Sequence, residues 1–258
     1  MTFPVVINLL GQPVPAHLVF ETAAYIVGFQ TYLILRRRER GTAISGETHI
    51  WLVVGAIFGA LFGSKILAII ESFPEYWMMR SDPRVWLGGK TIVGGLLGGW
   101  IGVEFVKHVR GVRGSTGDAY VLPLVFGIAI GRIGCFLTGL PDHTHGTPTA
   151  LPWGIDFGDG IHRHPTQLYE IAAALLIGAI VYMRSRRPHA SGELFRLFLF
   201  LYLAFRFLIE LIKPSYKPYL GLSAIQIASL FGAATCAWQI AKIRRLSPPQ
   251  GQIIGAEA

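Results

Sequence analysis

Seven apolar stretches, most of them close to twenty residues long, dominate this 258-residue chain, and several carry an arginine, lysine or glutamate in their interior. The clearest runs from Leu201 to Ile212 and contains Arg206 and Glu210, four positions apart and so on one face of a helix. About 20 apolar residues in a helix cross the hydrocarbon of a bilayer. A charge at mid-bilayer costs about 2.5–3.5 kcal/mol on insertion scales, so such side chains face a bundle interior or a wet cavity. The pattern predicts an all-α polytopic membrane protein of seven transmembrane helices with short loops and a polar centre.

The composition agrees. The chain is 52% hydrophobic and 15% charged, which excludes disorder and is unusual for a soluble domain. The net charge of +8 falls in short clusters beside apolar runs, which argues for a membrane and against a nucleic-acid partner. Cys135 and Cys236 both lie in apolar segments and offer neither a disulfide framework nor a metal pattern. The first residues lack the features of a cleaved signal, so the first span is expected to act as its own insertion signal.

The spans are expected at 17–35, 50–71, 91–107, 118–139, 166–184, 194–213 and 222–243, forming one domain over residues 1–258. Basic clusters follow spans one, three, five and seven. They are Arg36-Arg37-Arg38-Glu39-Arg40, Lys107 to Arg113, Arg184 to Arg187 and Lys242 to Arg245. With Arg196, fourteen of the 23 lysines and arginines fall on that side and six on the other, which makes it cytoplasmic and the N-terminus external. Loops 72–90 and 140–165 are then external. Phe73, Tyr76, Trp77 and Trp86 mix with charges in the first, as in a segment lying at the interface. Gly55, Gly59 and Gly63, then Gly94, Gly98 and Gly102, then Gly127 and Gly131, have the spacing of close helix packing in lipid. The tail after Arg245 reads as a loose end.

Three groups of residues stand out as chemical candidates. Arg132 lies in Gly131-Arg132-Ile133-Gly134-Cys135-Phe136, where flanking glycines permit close approach of a ligand. Arginine grips phosphate with two parallel hydrogen bonds, so a phospholipid headgroup is one reading, and a snorkelling or structurally paired arginine is the other. Arg206 and Glu210 form either an intrahelical pair or part of a site. The order argues against a self-sufficient pair, because glutamate placed before arginine is the better arrangement. The third group, Ile161-His162-Arg163-His164-Pro165-Thr166-Gln167-Leu168-Tyr169-Glu170, opens span five and carries Gln167, Tyr169 and Glu170 into the membrane edge. His162 and His164 have poor spacing for a metal. Lys65 and Glu21 are lone charges within their spans.

These motifs resemble the prolipoprotein diacylglyceryl transferases: Gly131-Arg132-Ile133-Gly134-x-Phe136-x-x-Gly139, then Arg163 to Glu170, then Phe205-Arg206-x-x-x-Glu210. Tyr25 to Phe29, Gly89 to Gly98 and Ala224 to Ser229 add weaker matches, and the order holds over nearly the whole chain. The resemblance implies a multi-pass enzyme of the bacterial plasma membrane. It would transfer the diacylglyceryl group of phosphatidylglycerol to the lipobox cysteine thiol of a preprolipoprotein, releasing glycerol 1-phosphate. Its partners are phosphatidylglycerol, the lipobox peptide and membrane lipids, and no metal or organic cofactor is implied. Arg132 and Arg206 would bind phosphate and Glu210 would orient Arg206. Gly131, Gly134, Cys135, Arg163, Gln167, Tyr169 and Glu170 would line the substrate site. The base stays open among His143, His145, His164 and Glu210, with His164 counted among the catalytic group. Cys135 stands where the family usually has asparagine, Val93 where it has histidine, and Leu140 to Gly146 departs from its usual run. Two other readings therefore stand beside this one: a paralogue that uses another acceptor, and a lipid-binding or transport protein without turnover.

Overall fold

The computed structural model describes residues 2–38, 46–82, 85–86 and 88–246. Glu39 and Arg40 of the first basic cluster, and the tail beyond Leu246, lie outside the described residues. Eight helices account for most of the rest: α1 (Ala16–Arg38), α2 (Gly46–Glu71), the short α3 (Phe73–Met78), α4 (Ile92–Arg110), α5 (Val121–Thr138), α6 (Thr166–Ser185), α7 (Glu193–Ile209) and α8 (Ala224–Leu246). Six of these, α1, α2, α4, α5, α6 and α8, are long and apolar enough to cross a membrane. The remaining expected span, the sixth at 194–213, corresponds to α7, which is shorter at 17 residues and is continued by a 3-10 turn at Glu210–Ile212.

The chain is not wholly helical. Val6–Leu9 (β1) pairs antiparallel with Gln12–Pro15 (β2) around a Leu10–Gly11 turn in which both residues have positive φ. Ile155–Asp156 (β3) pairs with His162–Arg163 (β4). Both hairpins lie outside the expected spans, the first ahead of span one and the second within the 140–165 loop. They are too short to show a clear alternation, and Gly11, Gly158 and Gly160 supply the positive φ their turns need.

Antiparallel helix pairs build the bundle: α1 against α5, α2 against α4, α5 against α6, and α7 against both α6 and α8. The glycine repeats explain the closest pair. Gly55, Gly59 and Gly63 face Gly102, Gly98 and Gly94 in antiparallel register, and a Cβ on any of the six would run into facing backbone. Lipid tails offer no hydrophobic drive for helices to associate, so van der Waals contact between bare backbones takes its place.

The other seam is built from large side chains. Phe198, Leu199, Tyr202 and Leu203 of α7 are fully buried and meet Val125, Ala174, Ile177, Ala233 and Cys236. Val93, where the family resemblance leads one to expect histidine, is part of this core at 1% exposure. Outward faces carry Phe58, Phe62, Phe105, Leu176, Phe231 and Trp238, all exposed, as lipid contact permits.

The bundle has two distinct ends. At one, Arg110 meets Glu47, and Glu193 receives both Arg184 and Arg244. Lys107, Arg184, Arg244 and Arg245 lie in the last turns of their helices, where cations complement the helix dipole. At the other end gather the start of α1, the end of α2, the 140–165 loop and the start of α8. Val5 N–H donates to Leu137 O, Phe3 packs on Phe136 and Phe157, and Ile225 N–H donates to Glu71. Beside this end lies α3, with Tyr76 buried and Phe73 and Trp77 exposed.

Candidate functional site

Three helices contribute one buried charge cluster at the loop-bearing end. Arg132 lies six residues before the end of α5, and Glu170 lies four residues after the start of α6. At about 1.5 Å per residue these positions are about 9 and 6 Å inside their helix ends. Arg206 occupies the last turn of α7, Glu210 opens the following 3-10 turn, and Lys213 closes it.

Glu170 is the centre. Its carboxylate is fully buried and takes Arg132 Nη2 at 2.5 Å on Oε2, then Arg206 Nη1 at 3.0 Å and Lys213 Nζ at 2.6 Å on Oε1. Arg206 Nη2 reaches Glu210 Oε2 at 2.8 Å. Tyr202 is fully buried with its hydroxyl among these charges. The intrahelical pair expected between Arg206 and Glu210 therefore exists, but as one edge of a five-membered network.

The network is not internally balanced. Three cations contact one another through two carboxylates, which leaves one positive charge unmatched. Glu71, the next carboxylate, accepts the Ile225 N–H at 2.9 Å on Oε2 and keeps a buried, unpartnered Oε1, but is not ion-paired with any of the three cations. Donors are also left over: Nε of Arg132 and Nε of Arg206 are buried without a hydrogen-bond partner. Gln167, one turn before Glu170 on the same face of α6, is fully buried with both amide atoms unpartnered. Buried polar groups are nearly always satisfied, and unmatched donors beside surplus positive charge describe a site for an anion.

The remaining candidates distribute around this cluster. Cys135 Sγ sits 3.7 Å from Arg132 Nη1. Gly134 and Gly131 turn toward α1: a Cβ on Gly134 would meet Phe20 and His17, and one on Gly131 would touch Ala24. What their missing side chains admit is a neighbouring helix. Arg163 is turned into its own hairpin, with two 2.7 Å bonds to the Asp159 carboxylate. That pairing holds the Asp159 carboxyl down to about 2. His164 Nδ1 lies 3.3 Å from the Tyr169 hydroxyl, which also accepts from Trp153 Nε1 at 2.7 Å, so these two candidates form a separate aromatic group at the rim.

The 140–165 loop is tied down over the cluster. Gly146 N–H donates to His164 O, Thr147 N–H to Ile212 O, and the Thr166 hydroxyl to Thr144 O. His145 packs on Phe157 with its Nδ1 buried and unpartnered. Burial, then the nearby Arg163 and His143, push its pKa below the usual histidine value.

Sequence reading singled out neither Lys213 nor Tyr202. Lys213 carried one available signal, a cation three residues after Glu210 at the end of an apolar run. Tyr202 carried a similar one, a hydroxyl one turn before Arg206 on the same face.

A groove of about 770 Å³ runs along the outside of the α2–α4 glycine seam, lined by Trp51, Phe58, Phe62, Ile101 and Phe105. It is apolar and lies apart from the charged cluster.

The chain matches the family model for prolipoprotein diacylglyceryl transferase over residues 4–242. Curated relatives agree. It is 34% identical to the phosphatidylglycerol–prolipoprotein diacylglyceryl transferase of Cupriavidus metallidurans, with 79% of each chain covered. It is 31% identical to that of Solidesulfovibrio magneticus, covering 88% of this chain and 89% of the relative. To the Bordetella parapertussis protein it is 30% identical over 78% of this chain and 79% of the relative.

Proposed function

Because this chain belongs to the prolipoprotein diacylglyceryl transferase family, we propose that it transfers the diacylglyceryl group of phosphatidylglycerol to the cysteine thiol of a prolipoprotein lipobox. The observation that carries this reading is the buried Arg132–Glu170–Arg206–Lys213 cluster with its unmatched positive charge and unpartnered donors. A phosphodiester fits both. Its anionic oxygens take the free Nε–H groups and the Gln167 amide, and its charge balances the third cation.

The reaction is then a displacement. The lipobox sulfur forms a bond to the glycerol carbon that carries the phosphate ester. The carbon–oxygen bond breaks, and glycerol 1-phosphate leaves with the electron pair. The leaving group gains negative charge as that bond breaks, and preorganised cations in a dry site stabilise it far more than water does. Glu170 and Glu210 hold the two guanidinium groups in place. The thiol proton passes to a histidine of the overlying loop, His164 or His145. Gln167 and Tyr169 line the site, and Cys135 stands beside Arg132.

We read the chain as one membrane domain in a bacterial plasma membrane. The charged cluster lies toward the outer leaflet, the N-terminus is external and the C-terminus cytoplasmic. The basic turns that end α4, α6 and α8 lie at the opposite end from the cluster and support that orientation. In this reading α3, with Phe73 and Trp77 exposed, lies at the outer interface.

The test is reconstitution in phosphatidylglycerol vesicles with a synthetic lipobox peptide, read by peptide mass and by glycerol phosphate release. Wild-type protein should produce both signals and Arg206→Ala neither. Release of glycerol phosphate without peptide modification would move the reading to another acceptor. Neither signal from well-inserted wild-type protein would remove catalysis.

A further inference from the structure

A second constellation lies beside the anion cluster, and of its three side chains the function above touches only Cys135. His17 stands in the first turn of α1, Cys135 in the last turn of α5, and Asp142 closes the 3-10 turn Leu140–Asp142. One possible ligand atom from each lies within 4.8 Å of the other two. The spacing in sequence hides this, because the three come from separate elements. Gly134 makes the approach possible: it lets the backbone of α1 at His17 press against α5 one residue from Cys135.

We propose that His17, Cys135 and Asp142 form a binding site for a divalent zinc-like ion, with a fourth coordination position open. The orientation of the donors supports it. His17 Nδ1 is buried without a hydrogen-bond partner and lies 3.6 Å from Asp142 Oδ1. The other Asp142 oxygen, Oδ2, accepts the Thr144 hydroxyl, so Oδ1 is the one directed at the site. The other His17 nitrogen, Nε2, faces Glu21 Oε2 at 3.7 Å. A metal-bound histidine characteristically turns its second nitrogen to a carboxylate, and a ligating carboxylate is itself hydrogen-bonded.

Size and charge agree. Zinc bonds of about 2.0–2.3 Å in a tetrahedron set donors about 3.3–3.8 Å apart, so the observed spread closes with a contraction of about 1 Å. A mixed sulfur, nitrogen and oxygen set selects zinc over magnesium or calcium, which take oxygen alone. A thiolate and a carboxylate neutralise the ion. Arg132 stands 3.7 Å from the sulfur but is already paired with Glu170 at 2.5 Å. Cys236, the other cysteine, is fully buried in the core and does not compete.

The test uses detergent-solubilised full-length protein carrying no polyhistidine tag, stripped with chelator and titrated with Co²⁺. Wild-type protein should develop visible bands of a four-coordinate site together with a near-ultraviolet thiolate-to-cobalt band, and Zn²⁺ should displace both. Cys135→Ser should abolish the charge-transfer band. His17→Ala and Asp142→Asn should each weaken Co²⁺ binding at least tenfold, and Glu21→Gln about tenfold, the size of an outer-partner effect. Helical circular dichroism checks each variant, and should Cys135→Ser fail to fold, the His17 and Asp142 variants carry the test. Absence of the bands in wild type overturns the site, as does a spectrum unchanged in both His17→Ala and Asp142→Asn.

Discussion

Arg132 and Arg206 reach the same carboxylate from two different helices, Arg132 at 2.5 Å on Oε2 of Glu170 and Arg206 at 3.0 Å on Oε1. Neither arginine could sit unpaired at this depth, and the shared glutamate sets the distance between them. The spacing of the proposed phosphate clamp is therefore a property of α6, the helix that carries neither arginine.

Glu170→Gln preserves shape and removes that charge, leaving Arg132, Arg206 and Lys213 with only Glu210. Breaking a buried ion network in this way costs about 3–5 kcal/mol. Thermal unfolding in detergent should show a large drop, and transfer should fall below detection. A melting temperature close to wild type would mean that the three cations are already screened by solvent.

Arg206→Lys keeps the positive charge but cannot make the 3.0 Å contact to Glu170 and the 2.8 Å contact to Glu210 together. Turnover should fall about 10²–10³-fold, as when one preorganised donor to a developing anion is lost. Unfolding should change far less than in Glu170→Gln. Steady-state assays in phosphatidylglycerol vesicles read the first, and a thermal melt the second.

Lys213→Met removes one of three cations and leaves both arginines on Glu170. The lost charged hydrogen bond costs about 1.5–3 kcal/mol. With positive and negative charges then equal in the cluster, affinity for the anionic substrate should drop while the helical fold persists. Equilibrium binding of a short-chain phosphatidylglycerol measures it, and unchanged affinity would argue that the surplus charge is not what draws the phosphate.

Along the glycine seam, Gly98→Ala should prevent recovery of folded protein, because its Cβ would run into the Gly59 carbonyl and the Gly63 Cα. Gly95→Ala is the control: its Cβ would stand 3.8 Å from Ala60 O and from Ser64 Cβ, an ordinary contact. Yield of monodisperse protein by size exclusion distinguishes them.

His145 makes the 140–165 loop sensitive to pH. Burial lowers its pKa, so the unfolded loop takes up the proton more readily than the folded one. Its stabilising contribution is complete above about pH 6.5 and is lost as pH falls from there toward the lower folded value. Amide exchange over residues 144–166, corrected for intrinsic rates, should be faster at about pH 5.5 than at about pH 7.5. His145→Gln should remove that difference.

The bundle was legible from residue order alone because lipid imposes a period and a length on every span. Hydrophobic runs located the seven long helices to within a few residues, and α7 is shorter because Arg206 and Glu210 introduce charge at its end and Lys213-Pro214 follows the 3-10 turn. The glycine repeats announced a tight seam, and the antiparallel register of Gly59 with Gly98 supplied its partner. The two hairpins escaped notice, being short turns held by contacts from elsewhere, such as Val5 N–H to Leu137 O.

Sequence by itself determined that this chain crosses a membrane, that Arg132, Arg206 and Glu210 are charges too costly to face lipid, and which family its motifs resemble. Only the tertiary structure decided that Glu170 is the centre of the cluster, that Lys213 joins it, that Arg163 turns away to Asp159, and that His17 meets Cys135 and Asp142. The cost of burying a charge depends on the residue itself and can be read in one dimension. Which partner offsets that cost depends on helix faces brought together from distant parts of the chain, and that is settled by packing.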